Sequence, residues 1–213
     1  GQTGLYHKHK GYNVGLLHAA GKIVVVCDSD AVYPPAFISS IISAFQCSED
    51  TEPKPIVLMY HQWRSDETYP DGLSDINDLC QYTWRDLLPN VGACVCLRTA
   101  DAIRFGGFDE RRALRGYLCG PYELSWRLVN AGLPEIWHDV AVSLWHFAHP
   151  EPLGVGPRSF SLRGWQEVMH PHLDYHALAA VEAFSAGRLL PLKENAEIHQ
   201  RRMATRQIGT TFE

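Results

Sequence analysis

Asp28-Ser29-Asp30 is the densest piece of potential chemistry in this chain of 213 residues. The two carboxylates stand at i and i+2 directly behind an apolar run, Ile23-Val-Val-Val-Cys27. That run is short, β-branched and bounded by Gly21 and Pro34-Pro35. It predicts a strand buried on both faces, as in a parallel sheet. Open α/β sheets bind ligands outside the carboxyl ends of their strands, where both acids fall. Carboxylates so placed can converge on one divalent cation, and Mg²⁺ or Mn²⁺ share their shells with substrate phosphates. The alternative is structural: Asp28 caps a turn and Asp30 is solvated.

Two further stretches carry functional groups. Gly106-Gly-Phe-Asp-Glu110 offers glycines for positive φ or close backbone approach, or else a simple turn. Gly120-Pro-Tyr-Glu-Leu-Ser-Trp-Arg-Leu-Val-Asn-Ala-Gly132 predicts a helix from Pro121 to a glycine stop. Leu124, Leu128 and Ala131 form its core face, and Glu123 and Arg127 have the i, i+4 spacing of a surface ion pair. Other metal candidates are thin. Cys94 and Cys96 share a strand face, but two thiols alone do not make a zinc site. His172 and His176 have helical zinc spacing with His170 nearby, yet Asp174 falls on a different face.

The elements that must hold these groups follow in order. Residues 1–12 read as a polar loop, with His7, His9 and Lys10 solvated, and Asn13–Gly21 as a short helix. Residues 34–47 predict a helix whose core stripe is Phe37, Ile38, Ile41, Ile42 and Phe45. Ile56–Tyr60 is a strand, 61–73 a turn-rich excursion that closes over a ligand or inserts on the surface, and 75–88 a helix. Ala93–Leu97 is a strand, Thr99 caps a short helix to Phe105, and 134–144 is the last strand, running into Trp145-His-Phe-Ala-His149. Residues 151–160 read as a linker before two or three helices. Residues 1–150 thus form the expected core and 151–213 a helical extension.

With 46% apolar and 20% charged residues the chain has the composition of a globular protein. A net charge of −5 argues against nucleic-acid binding. The six cysteines show no CxxC pairing and read as mostly reduced core thiols. No stretch is long enough to span a membrane and no signal peptide is visible. The expected location is cytoplasmic, with peripheral membrane attachment left open.

The order Lys8, Asn13, Gly15, Ala19 or Ala20, Gly21, the apolar strand, Asp28 and Asp30 resembles the centre of family 2 glycosyltransferases. The Gly-Gly-Phe-Asp-Glu loop resembles the same family, as do Glu123, Leu124, Arg127, Leu128, Ala131 and Gly132. The resemblance runs from about residue 4 to 149. It implies a GT-A fold, a Rossmann-like mixed α/β sheet flanked by helices, that transfers a sugar from a nucleotide-diphosphate sugar to an acceptor hydroxyl with inversion. It implies Mn²⁺ or Mg²⁺ at Asp30, with Asp28 nearby and His146 completing the site (His149 the runner-up). Lys8 and Asn13 would then lie near the diphosphate of the donor, a UDP-sugar by expectation, and Gly106, Gly107 and Phe108 would approach sugar and acceptor.

The match departs in two places. Gly120-Pro121 stand where the family has a Glu-Asp pair, whose aspartate is the usual general base. Glu123 or Asp109 would have to take that proton, or binding survives without catalysis. The family also has two β-α units before its Asn-Gly segment, and only a dozen residues precede Asn13 here. The chain is therefore expected to lack the base-binding part, or to need a partner chain. A non-catalytic GT-A-like module is the second expectation, a metal-dependent phosphohydrolase using the Asp pair a weaker third, and a homo-oligomer is left open.

Overall fold

The computed structural model describes residues 7–46, 52–70, 73, 75–85, 87–89, 92–111, 120–148 and 192–209. The class is mixed α/β: two four-stranded mixed sheets flanked by helices.

The first sheet has the order β1-β6-β3-β7, with β1 at Ile23–Cys27, β3 at Val57–Met59, β6 at Cys94–Arg98 and β7 at Glu135–Trp137. Period-2 alternation sends its side chains into two separate cores. Val26, Val57, Met59, Val95 and Leu97 pack on Leu16, Leu17, Ala102, Leu124, Leu128 and Ile198. Leu58, Cys94 and Cys96 pack on Phe37, Ile41 and Phe45 from the opposite side. Continuous apolar strands are the sequence signature of a sheet covered on both faces. Two details differ from the expectation for Ile23–Cys27. β1 is antiparallel to β6, with Cys27 opposite Cys94, and among the described residues it is an edge strand in which only Val26 is buried. A two-faced apolar pattern reports what covers a strand, not which way its neighbour runs.

The second sheet has the order β2-β8-β4-β5, with β2 at Ala31–Val32, β4 at His61–Thr68, β5 at Leu87–Pro89 and β8 at Leu144–Ala148. Here the sequence expectation fails most. The excursion after Tyr60 is an eight-residue strand, His-Gln-Trp-Arg-Ser-Asp-Glu-Thr, which pairs with both β5 and β8. Pairing on both sides supplies the order that polar composition hid. The helix expected over 75–88 is a 3-10 turn, Ile76–Gln81, followed by β5. The strand expected over 134–144 is broken into β7, a 3-10 turn at Val140–Val142 and β8.

The helices among the described residues are α1 (Lys8–His18), α2 (Phe37–Phe45), α3 (Thr99–Arg104), α4 (Tyr122–Asn130) and α5 (Ala196–Gly209). α1 starts inside the stretch expected to be loop. On α2, Phe37, Ile41 and Phe45 are buried as expected, while Ile38 and Ile42 face outward. Thr99 does not cap α3: its hydroxyl donates to Gly21 O, and Arg98 occupies the cap position. α4 begins after Pro121 and ends before Gly132, whose φ of +99° is the glycine-favouring region. α5 is more than an appendage, since Ile198 is fully buried in the first core. Cys94 and Cys96 share one face, their sulfurs 4.0 Å apart, whereas Cys27 and Cys80 are exposed rather than core. Cys47, Cys119, His149, the linker at 151–160, the helices placed before residue 192 and the histidines 170, 172 and 176 lie outside the described residues. No helix among the described residues is long and apolar enough to cross a membrane.

Candidate functional site

β1 delivers the chain to Asp28, whose N–H donates to Ala93 O at 3.0 Å. The chain then turns through Ser29 and Asp30 into β2, which pairs with β8 so that Ala31 lies opposite His146. That register brings two residues more than a hundred positions apart together: His146 Nε2 lies 3.3 Å from Asp30 Oδ2. His146 is buried, and Asp30 is open to solvent at 46% of its side-chain surface. Lys8, from the first turn of α1, donates to Asp28 Oδ1 at 3.4 Å. Tyr33 secures the turn from inside: its hydroxyl donates to Asp28 O at 2.7 Å and its ring packs on Phe37. Burial pushes the Tyr33 phenol far above its ordinary range, so it stays a donor. Sequence reasoning missed Tyr33, although a tyrosine three residues beyond the acid pair is a visible signal.

Asp28 and Asp30 differ in environment. Burial pushes the Asp28 carboxyl up, and the charge of Asp30 adds to this, against the opposing pull of Lys8 and His146. The folded state therefore holds a proton on Asp28 more readily than the unfolded chain does. Stability falls as pH rises from the ordinary aspartate value through the raised one, and the ionised group is a cost at neutral pH. Asp28→Asn is accordingly expected to raise the unfolding midpoint at pH 7 by about 2–4 °C for each kcal/mol relieved. The gain should vanish below about pH 4, where Asp28 is protonated in both states. Calorimetric melts across pH 3–8 check this; an unchanged or lower midpoint at pH 7 contradicts it.

Asp30 offers a carboxylate oxygen and His146 an imidazole nitrogen, and a divalent ion such as Mn²⁺ could accept both. Two ligands adjacent on an octahedral ion with bonds of about 2.1 Å stand about 3 Å apart, close to the Asp30–His146 separation. Among the described residues no group of three or more His, Cys, Asp or Glu is gathered to hold a metal. Asp30 and His146 would thus be the protein donors, the remaining positions falling to ligand and water, as Mg²⁺ and Mn²⁺ accept. Asp28 lies beside them and accepts a hydrogen bond from Lys8.

The residues expected to serve substrate and catalysis form a second cluster. Gly106 and Gly107 have φ of +86° and +64°. A Cβ on Gly106 would lie 2.6 Å from Leu192 and one on Gly107 2.5 Å from Ile198, so the segment before and within α5 sits on this loop. Phe108 is buried against Tyr12 and His9. Asn13 is fully buried, its amide spent on Phe108 and Glu110. His9, expected to be solvated, is fully buried as well, with Nδ1 2.6 Å from Asp109 O and Nε2 near both N and O of Gly120.

The two carboxylates considered for proton removal are both engaged. Asp109 pairs with Arg111 and accepts from the backbone N–H of Arg111 and Lys193. Glu123 pairs with Arg127 and accepts from Asp109 N at 3.1 Å. Arg127 also donates to Phe105 O and Gly107 O. The i, i+4 pair exists, as the structural alternative for Glu123 predicts, but it is buried and clamps the glycine loop. Lys193, Asn195 and Ile198 were missed as parts of this cluster because nothing local to their sequence marks them. The chain matches no family model and no curated protein.

Proposed function

We propose that this chain is a glycosyltransferase of the GT-A type, moving a sugar from a nucleotide-diphosphate sugar to an acceptor hydroxyl with inversion. The observation that carries this is the convergence of Asp28, Asp30, His146 and Lys8 where β1 ends and β2 meets β8. Asp30 and His146 would hold Mn²⁺ or Mg²⁺, which when bound neutralises charge on a departing diphosphate. Lys8 contributes a point charge toward the same phosphates, held in place by Asp28. Asp109 or Glu123 would take the acceptor proton, which needs a carboxylate within hydrogen-bond reach of the hydroxyl. In this role either acid must first leave its arginine. A cytoplasmic location goes with this reading.

A second reading, a binding module that lacks catalysis or is completed by a partner chain, has its own support. Both acids are buried and ion-paired with arginine. The outer edge of β1 carries no strand among the described residues, and an apolar edge without charge or proline invites one.

Calorimetric titration of UDP and of GDP with and without Mn²⁺ tests the site. Metal-dependent binding is expected, weakened at least a hundredfold in Asp30→Ala. Binding of neither nucleotide, or binding indifferent to both Mn²⁺ and Asp30→Ala, would sink the proposal. Binding without sugar release from a UDP-sugar in the presence of acceptor favours the module.

A further inference from the structure

We propose that Arg64 is a second phosphate-contacting cation of the Asp30–His146 site, in addition to Lys8; this rests on the metal–diphosphate reading above. β4 runs parallel to β8 with Arg64 in register with His146, and Ala31 flanks His146 on its other side. In-register neighbours project from the same face of a sheet, while the residues before and after project from the other. Arg64 therefore leaves the sheet on the face of His146, whose Nε2 reaches Asp30. Trp63 and Trp145, paired one step earlier, take the opposite face. The β4–β8 register shifts between Arg64 and Thr68, and such irregularities re-aim side chains beside functional sites.

The charge state of Arg64 gives independent support. Four other arginines among the described residues are half-buried: Arg98, Arg111, Arg127 and Arg202. Each is paired with a carboxylate, respectively Asp101, Asp109, Glu123 and Glu194. Arg64 is half-buried too, yet among the described residues its guanidinium has no ion pair or hydrogen bond; its backbone carbonyl accepts from Arg85 N at 2.9 Å. A guanidinium removed from water without an anion is costly, and its planar fork suits two phosphate oxygens. An anion bound at Asp30 and His146 supplies the missing partner. Lys8 on α1 and Arg64 on β4 would then both contact the diphosphate.

Calorimetry with inorganic pyrophosphate and with UDP, each with Mn²⁺, tests the assignment. Arg64→Ala is expected to weaken both at least tenfold, and Arg64→Lys to recover part of the loss by restoring charge. Arg85→Ala, which removes only the exposed pair with Asp66, should bind like wild type. If Arg64→Ala fails to fold, Arg64→Gln gives the same readout. Binding within twofold of wild type in Arg64→Ala or Arg64→Gln, with Asp30→Ala abolishing it, overturns the role of Arg64 and leaves the site standing. Failure of the wild type to bind either ligand overturns both.

Discussion

Arg127→Met should lower stability by about 3–5 kcal/mol, the cost of breaking a buried ion pair from one side. Methionine keeps much of the volume but none of the donors. Glu123, only 4% exposed, would be left as an uncompensated buried charge. The carbonyls of Phe105 and Gly107 would lose their guanidinium donors at the same moment. These losses fall on one loop, so they compound. At about 2–4 °C per kcal/mol for a chain of this size, the midpoint should drop by roughly 10 °C. Glu123→Gln should cost less, because an amide oxygen can still accept from Asp109 N and from the arginine. The double variant, Glu123→Gln with Arg127→Met, should be less damaging than the sum of the two, since the second change removes the charge orphaned by the first. Urea unfolding of the three variants measures this; a loss below about 1 kcal/mol in Arg127→Met would remove the clamp role. The same data decide how activity in Glu123→Gln is interpreted. A loss of transfer by orders of magnitude with the fold intact marks Glu123 as the base, whereas a loss under tenfold removes it from that role.

Much of the first sheet was legible because its physics is local. Val-Leu-Met at β3 and Cys-Val-Cys-Leu at β6 are apolar on both faces, and only a covered sheet accommodates that. α4 announced itself by Pro121, Gly132 and the Leu124–Leu128 stripe. The second sheet was not legible. β4 is mostly polar, and its order comes from strands β5 and β8, which lie far along the chain. Strand direction was also hidden: the apolar pattern of Ile23–Cys27 is indifferent to whether β6 runs parallel or antiparallel to it.

At the site, the Asp28-Ser29-Asp30 turn was visible as chemistry, and the resemblance alone pointed to His146. What sequence could not show was the division of labour between the acids. Asp28 is withdrawn from water and turned to Lys8, while Asp30 is open and faces His146. Nor could it show that His9 and Asn13, in a stretch of polar letters, are core residues. Their burial depends on the glycine loop and on residues 192–198 closing over it, and no local pattern encodes a contact across a hundred residues. The pairing of β4 with β8 also puts Arg64 on the face of His146.

Asn13→Ala should prove nearly as damaging as Arg127→Met, at about 3 kcal/mol, for a related reason. Asn13 Nδ2 donates to Phe108 O at 2.8 Å and to Glu110 Oε1 at 3.0 Å, while Oδ1 accepts from Phe108 N at 2.8 Å. Alanine would strand both backbone groups of a buried residue, each costing about 1–3 kcal/mol when left without a partner. It would also loosen Glu110. Burial acts to push that carboxyl up, but the amides of Asn13 and Asn195 outweigh it and hold the carboxyl below its ordinary range. A depressed carboxyl contributes stability that is present above its unfolded value and lost as pH falls through the folded one. Asn13→Ala should therefore flatten the acid limb of the stability profile below about pH 4.5, besides lowering it throughout. Asn13→Asp separates packing from hydrogen bonding: it keeps the acceptor for Phe108 N–H but turns a second carboxylate toward Glu110 and Phe108 O. At pH 7 the expected order of stability is wild type, then alanine, then aspartate, with the last two converging as pH falls. An aspartate variant as stable as wild type at pH 7 would mean that Asn13 Nδ2 does not hold the loop.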